Sequence, residues 1–256
     1  MEARETFDEV ADIYAKVRKG YPAALFDDLE TLAGLGSAAR VLEVGCGTGQ
    51  ATADLAARAG HVLALDPGAR LIGQARKAID AANVEFVVSS FEDMEASPGA
   101  FDLIASAQAW HWVDGMIGVP KAADLLADGG RLAIFGHVPM PIPSLFETSF
   151  KQAFDRNAPG VWGAPSPMEA YLPSGPFAGM IAASARFGPV IHRGYEWTWD
   201  LDPETFGRYL RTDSAYHFLA EPERFALFDD LAAAVAANGG MLRLPWQTHL
   251  YVATKR

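Results

Sequence analysis

Between residues 40 and 136, short apolar runs recur at the spacing of strands joined by helices, and this rhythm constrains the fold more than any other property of the chain. The runs are Val41–Val44, His61–Asp66, Val84–Val88, Phe101–Ser106 and Arg131–Phe135, separated by alanine-rich stretches long enough to be helical. Uninterrupted apolar runs suit strands covered on both faces. Parallel neighbours need crossovers of this length. The segment therefore predicts an α/β domain of the doubly wound, Rossmann-like type, a parallel sheet with helices on both faces.

The flanks follow other patterns. Thr6 and Glu9 stand in capping-box relation, and Phe7, Val10, Tyr14 and Val17 follow at helical spacing until Gly20. Pro22 suits the first turn of a second helix, with Leu25, Leu29 and Leu32 on one stripe and Gly34 and Gly36 at its end. Downstream, nine of the sixteen prolines fall between Pro139 and Pro189, which predicts a loop-and-helix insertion. A β-rich stretch, Val190–Trp199, comes next, then helices over Pro203–Arg211 and Glu221–Ala237 and a final strand, Gln247–Thr254, turned back toward the main sheet by Asn238, Gly239 and Gly240. Four segments result: an N-terminal helical segment (1–36), an α/β core (37–137), a loop-and-helix insertion (138–189) and a C-terminal completion of the sheet (190–256).

A formal charge of −11, from 32 acidic against 21 basic residues, repels phosphate backbones and anionic lipid heads, so neither nucleic acid nor a membrane surface is an expected partner. The start of the chain lacks the basic and apolar regions of a secretory signal, and no eighteen apolar residues run together. The expectation is a cytoplasmic protein, monomer or homodimer, acting on a small molecule. Cys46 is the single cysteine, and no Cys/His cluster has metal-ligand spacing, so neither a disulfide nor a metal is expected.

The most informative local feature is VLEVGCGTG, Val41 to Gly49, an apolar strand running into glycines at 45, 47 and 49 and then a helix opened by Gln50, Ala51 and Thr52. Such glycines let the backbone turn sharply and approach a ligand. A dinucleotide fingerprint would put its third glycine where Gln50 stands, and a phosphate-cradling loop would end in Gly-Lys-Ser/Thr. Neither is met, so the turn faces a nucleoside without phosphates. Asp66, 17 residues beyond Gly49, can accept hydrogen bonds from both ribose hydroxyls, and Glu43 is placed to meet a cationic amino group.

The pattern acidic-x-Gly-x-Gly-x-Gly over Glu43–Gly49, followed by the acid Asp66, resembles the class I S-adenosylmethionine-dependent methyltransferases. The stretches FDEVADIYAKVRKGYP (7–22) and SAQAWHW (106–112) are similar to the branch containing trans-aconitate and ubiquinone-type methyltransferases. The resemblance implies S-adenosylmethionine as cofactor, a seven-stranded sheet with the last strand antiparallel, and cofactor contacts from Tyr14, Arg18, Glu43, Gly45, Cys46, Gly47, Gly49, Asp66, Pro67, Ser90, Phe91, Glu92 and Gln108. Phe91 would lie against the adenine. Ser90 stands where the family often has aspartate, which passes the hydrogen bond to the adenine amino group to Glu92. Leu126–Phe135 has the turn-and-strand form of the family's fifth strand.

Ligands in open parallel sheets occupy the carboxyl ends of the strands, which makes Tyr21, Trp110, His111 and Trp112 the acceptor-side candidates, with both tryptophans as pocket wall. His111 either takes a proton from a hydroxyl or amine acceptor or merely packs and hydrogen-bonds a neighbour. On the helix that covers the cofactor in this branch, Tyr14 would reach the methionine end and Arg18 a carboxylate. Tyr195, Trp197 and Trp199 alternate with period two and read as one buried strand face, while Arg211 and His217 read as structural. The methyl acceptor is expected to be a small organic acid or hydroxylated metabolite; two other functions remain open, an NAD(P)-dependent oxidoreductase, which Gln50 argues against, and a non-catalytic S-adenosylmethionine-binding protein.

Overall fold

The computed structural model of the protein describes residues 11–164, 166–213, 216 and 218–256. The expected capping box Thr6–Glu9, with Phe7 and Val10, and also His217, lie outside the described residues. In chain order the elements are α1 (Ala11–Val17), α2 (Ala23–Ala33), β1 (Arg40–Val44), α3 (Thr52–Ala56), β2 (His61–Asp66), α4 (Ala69–Ala78), β3 (Val84–Val88), β4 (Phe101–Ala107), α5 (Gly115–Leu125), β5 (Leu126–Pro139), α6 (Ser144–Asn157), α7 (Phe177–Ala183), β6 (Ile191–Leu201), α8 (Pro203–Leu210), α9 (Glu221–Ala237) and β7 (Leu242–Thr254). Short 3₁₀ turns lie at Trp110–Trp112 and Pro167–Tyr171.

The strands form one seven-stranded sheet in the order β3-β2-β1-β4-β5-β7-β6. β1 pairs in parallel with β2 and β4, β2 with β3, and β4 with β5, whereas β7 runs antiparallel to both β5 and β6. This is the expected doubly wound sheet with its last strand reversed.

Successive strand residues point to opposite faces, so each strand feeds two cores. Leu42, Ile104, Leu132, Ile134 and Tyr251 pack on one face with Val119 and Ala122 of α5 and Ile181 of α7. Val41, Leu103, Ala133, Phe135 and Leu250 pack on the other with Leu25, Phe26 and Leu29 of α2. A third core forms beyond the sheet's β7 end, where Phe146, Phe150 and Phe154 of α6 meet Leu227, Leu231 and Val235 of α9.

Several boundaries differ from the sequence expectation. The first helix ends at Val17, three residues short of Gly20, and the helix after the glycine turn starts at Thr52 instead of Gln50. The fifth strand spans Leu126–Pro139 and not only Arg131–Phe135, because it stays paired with β7 from Arg131↔Thr254 to Pro139↔Trp246. The last strand begins at Leu242: Pro245 interrupts the apolar run in sequence, yet its carbonyl still accepts from Met140 N at 2.9 Å. These extensions lengthen β5, β6 and β7 at the carboxyl edge of β5, and that is where one wall of the site rises.

Candidate active site

One cavity opens at the carboxyl ends of β1, β2, β4 and β5, under α1 and beside β6, β7 and α8. Its floor begins at the glycine turn. Gly45 has φ +73°, and a Cβ there would lie 2.2 Å from the Ala109 Cβ, so glycine is what lets the β1 turn abut the loop after β4. Gly49, φ +96°, does a different job from the one expected: its Cβ would meet Ile79 Cδ1 at 2.5 Å, and it packs against the end of α4 without lining the cavity. Gly47 lines the cavity and donates its N–H to Asp66 Oδ2 at 3.0 Å, while Gly68 N–H donates to Asp66 Oδ1 at 2.8 Å. Asp66 thus ties the turns after β1 and β2 together at the cavity wall, beside Pro67 and Leu71. A carboxylate offers about four lone-pair sites, enough to serve backbone and ligand together.

Glu43 is not at the wall. It is 0% exposed and lies beneath the turn, beside Thr52. Burial raises its pKa to about 7, tempered by the Thr52 hydroxyl and increased by the charge of Asp66. The expected direct contact with a ligand amino group is corrected by this position, one β residue below the cavity floor. Cys46 does line the cavity, but burial, with Glu43 and Asp66 nearby, pushes its thiol pKa up and leaves it unreactive.

The turn after β3 supplies a second wall. Ser90 Oγ donates to Asp93 Oδ2 at 2.7 Å and accepts from Asp93 N, so Ser90 shapes its own turn. Glu92 accepts from the Asp114 N–H through Oε1 at 2.9 Å. Phe91 lines the cavity but is almost wholly buried, with Trp110 at 5.7 Å and the Lys121 ammonium over its ring.

After β4, Gln108 has φ +56°, the one positive φ among the described non-glycine residues. Its amide brackets the His137 backbone, accepting from His137 N at 2.5 Å and donating to His137 O at 3.2 Å, so it locks β4 to β5 at the cavity rim. The side-chain amide is therefore committed to protein, as is the Gln108 backbone N–H, which donates to Phe135 O at 2.8 Å. Trp110, 1% exposed, is core and not pocket wall, whereas His111 and Trp112 line the cavity. His111 Nδ1 sits 3.1 Å from the buried Tyr171 hydroxyl, and burial lowers its pKa to about 4. Of its two expected behaviours, hydrogen bonding to a neighbour is the one present.

On the cover, Tyr14, Arg18 and Tyr21 all line the cavity. Arg18 is oriented by protein: Nε and a terminal nitrogen donate to Thr212 Oγ1 and O at 3.0 and 2.7 Å, and the guanidinium lies 4.7 Å from the Tyr209 ring and 5.2 Å from Tyr14. Tyr21 stacks on His137 at 4.3 Å. The sequence reading missed His137, Trp246 and Tyr209, and took Trp197 and Trp199 for core; all five line the cavity, whereas Tyr195 turns away to donate to Asp28 at 2.6 Å. The aromatics along β6 and β7 were the available signal, but only strand order shows that they converge.

A glycine turn and an acidic strand end over one cavity, on a sheet whose β7 is reversed, define a Rossmann-like fold. Residues 41–130 match the family described as "Methyltransferase domain". An uncharacterized methyltransferase of Mycobacterium tuberculosis is 33% identical over 129 residues, covering 50% of this chain and 51% of the relative. A ubiquinone biosynthesis O-methyltransferase of Xylella fastidiosa is 38% identical over 102 residues, 38% of this chain and 42% of the relative. The chain thus spans about half the length of the curated relatives it matches. A structure described as a type II methyltransferase from Anaeromyxobacter dehalogenans superimposes with a TM-score of 0.62 at 24% identity, over 92% of this chain and 97% of the other. Residues 41–130 thus match a methyltransferase domain, and the fold is the one seen in that solved methyltransferase structure. No helix among the described residues is long and apolar enough to cross a membrane, and no group of three or more metal-ligating side chains is found among them.

Proposed function

We infer that the protein transfers a methyl group from S-adenosylmethionine to a small molecule. The observation that carries this reading is the joining of the Asp66-pinned glycine turn and the aromatic wall of β6 and β7 in a single cavity, so that donor and acceptor would share it. The donor set suits the cofactor. Asp66 can take ribose hydroxyls, Pro67, Leu71 and Phe91 offer apolar contact to a base, and Tyr14 and Gln108 lie on the cover and rim sides. α3 begins two residues after Gln50 and runs only from Thr52 to Ala56, a poor seat for a pyrophosphate, which weighs against the NAD(P) reading.

When bound, S-adenosylmethionine supplies an electrophilic methyl group that an acceptor takes by in-line displacement. The chain's own contribution is alignment in a partly closed cleft. His111, neutral at physiological pH, holds its ring at the wall through Tyr171, and α1 covers the cavity with Tyr14 and Arg18. Incubation with S-adenosylmethionine and a small-metabolite panel, read by mass spectrometry, should show one small molecule gaining a methyl group. Methylation confined to protein or nucleic acid would overturn the small-molecule reading.

A further inference from the structure

The turn after β3 gives the cavity Ser90, Phe91 and Glu92. Within the turn, Met94 N–H donates to Ser90 O at 3.1 Å and Asp93 N–H to Ser90 Oγ at 3.0 Å. Both bonds close the turn on its first residue. Neither reaches the carbonyls of Glu92 and Met94 at its far end, and a loop carbonyl left without a partner in the interior is costly.

Lys121, which stands on α5 and does not line the cavity, supplies what the turn lacks. Its ammonium donates to Glu92 O at 2.8 Å and to Met94 O at 2.5 Å, and lies 5.6 Å from the centroid of the Phe91 ring. An ammonium has three donors and no acceptor, so two carbonyls and one ring face use it fully. About two helical turns earlier on α5, the Asp114 N–H donates to Glu92 Oε1 at 2.9 Å, while the Asp114 side chain caps the helix by accepting from Met116 N at 2.8 Å. One helix therefore grips Glu92 twice, by its carbonyl and by one carboxylate oxygen. The other oxygen, Oε2, has no protein partner among the described residues. An ionised carboxylate oxygen accepts hydrogen bonds and donates none.

We propose that Lys121 is a positioning residue for the purine end of the cavity: it fixes the turn after β3 so that Phe91 backs the base and Glu92 presents its carboxylate to an amino group on the base edge. The proposal rests on the reading of this cavity as an S-adenosylmethionine site. A carboxylate attracts an amino N–H and repels a carbonyl oxygen, so the choice between a 6-aminopurine and a 6-oxopurine belongs to Glu92. Lys121 acts on that choice by fixing where Glu92 stands.

The test is calorimetric titration of the full chain and its Lys121→Met variant with S-adenosylhomocysteine and with S-inosylhomocysteine, which carries oxygen in place of the purine amino group. Wild type should bind S-adenosylhomocysteine at least about tenfold more tightly, the order of one hydrogen bond to a charged group. Lys121→Met keeps an unbranched apolar stem and removes the ammonium. It should weaken S-adenosylhomocysteine about tenfold and S-inosylhomocysteine less than about threefold, so that most of the preference is lost. A lysine that served only to stabilise the fold would change both affinities equally or neither. Equal losses, or undiminished S-adenosylhomocysteine affinity in a folded variant, overturn the proposal. If Lys121→Met does not fold, Lys121→Gln, whose shorter side chain cannot span both carbonyls, is read in its place. Absence of S-adenosylhomocysteine binding by wild type overturns the methyl-transfer reading and the proposal with it, whereas binding without a preference over S-inosylhomocysteine overturns the proposal alone.

Discussion

The two ends of the cavity are built by different means. At the cofactor end, residues 44–47, 66–67 and 90–92 act largely through backbone: glycine dihedrals, N–H groups held by Asp66, and a turn shaped by Ser90. At the other end, side chains from α1, β5, β6, α8 and β7 meet across the fold, and their placement depends on β7 pairing with both β5 and β6. Backbone geometry demands particular residues at fixed spacing, which leaves a mark in sequence. A side-chain chamber demands only that distant aromatics converge.

The sharpest way to break the cofactor end alone is Gly45→Val. Positive φ costs a branched residue about 1–3 kcal/mol, and the new Cβ would overlap Ala109, so S-adenosylhomocysteine affinity should fall on the order of 100-fold in calorimetry. Normal binding by a folded variant would remove Gly45 from the account.

Next is the pH dependence of stability at Glu43. Its folded pKa of about 7 lies above the ordinary 4.5, because burial disfavours the charged form. The folded state therefore holds the proton more tightly. Stability is greatest below pH 4.5, declines as pH rises from 4.5 to 7, and levels off above. The total is about 3 kcal/mol at 1.36 kcal/mol per unit. In urea titrations Glu43→Gln should flatten that decline and be more stable than wild type at pH 8; an unchanged slope would place the titration elsewhere.

Asp66→Ala should weaken S-adenosylmethionine and S-adenosylhomocysteine alike by roughly 1.5–3 kcal/mol, the worth of hydrogen bonds to a charged group. Unchanged affinity in calorimetry would leave Asp66 only its hold on the Gly47 and Gly68 turns.

The smallest expected effect is at His111. With Nδ1 at the Tyr171 hydroxyl and a pKa of about 4, it stays uncharged across the neutral range, and turnover should show no step from its titration between pH 6 and 8. His111→Gln keeps an N–H and should cost less than about tenfold, the scale of one hydrogen bond. A loss of 10²-fold or more with a rate step near pH 6.5 would restore the general base.

The strands, the sheet class and the glycine turn were legible because their periodicity and spacing are local. Burial depth was not: Glu43 and Trp110 were read as ligand contacts and lie in the interior, since a strand's pattern does not say how far a wall stands from the floor. Nor could the chain reveal that Gln108 is occupied by the His137 backbone, or that Trp197 and Trp199 serve a cavity as well as a core, because both facts depend on pairings between segments far apart in sequence.

The central claim is that the Asp66-pinned glycine turn receives S-adenosylmethionine and not a dinucleotide. Calorimetric titration of the wild-type chain with S-adenosylhomocysteine and, separately, NAD tests it most directly. The account predicts one S-adenosylhomocysteine bound per chain and no heat from NAD at the same concentrations; saturable NAD binding with none for S-adenosylhomocysteine would contradict it.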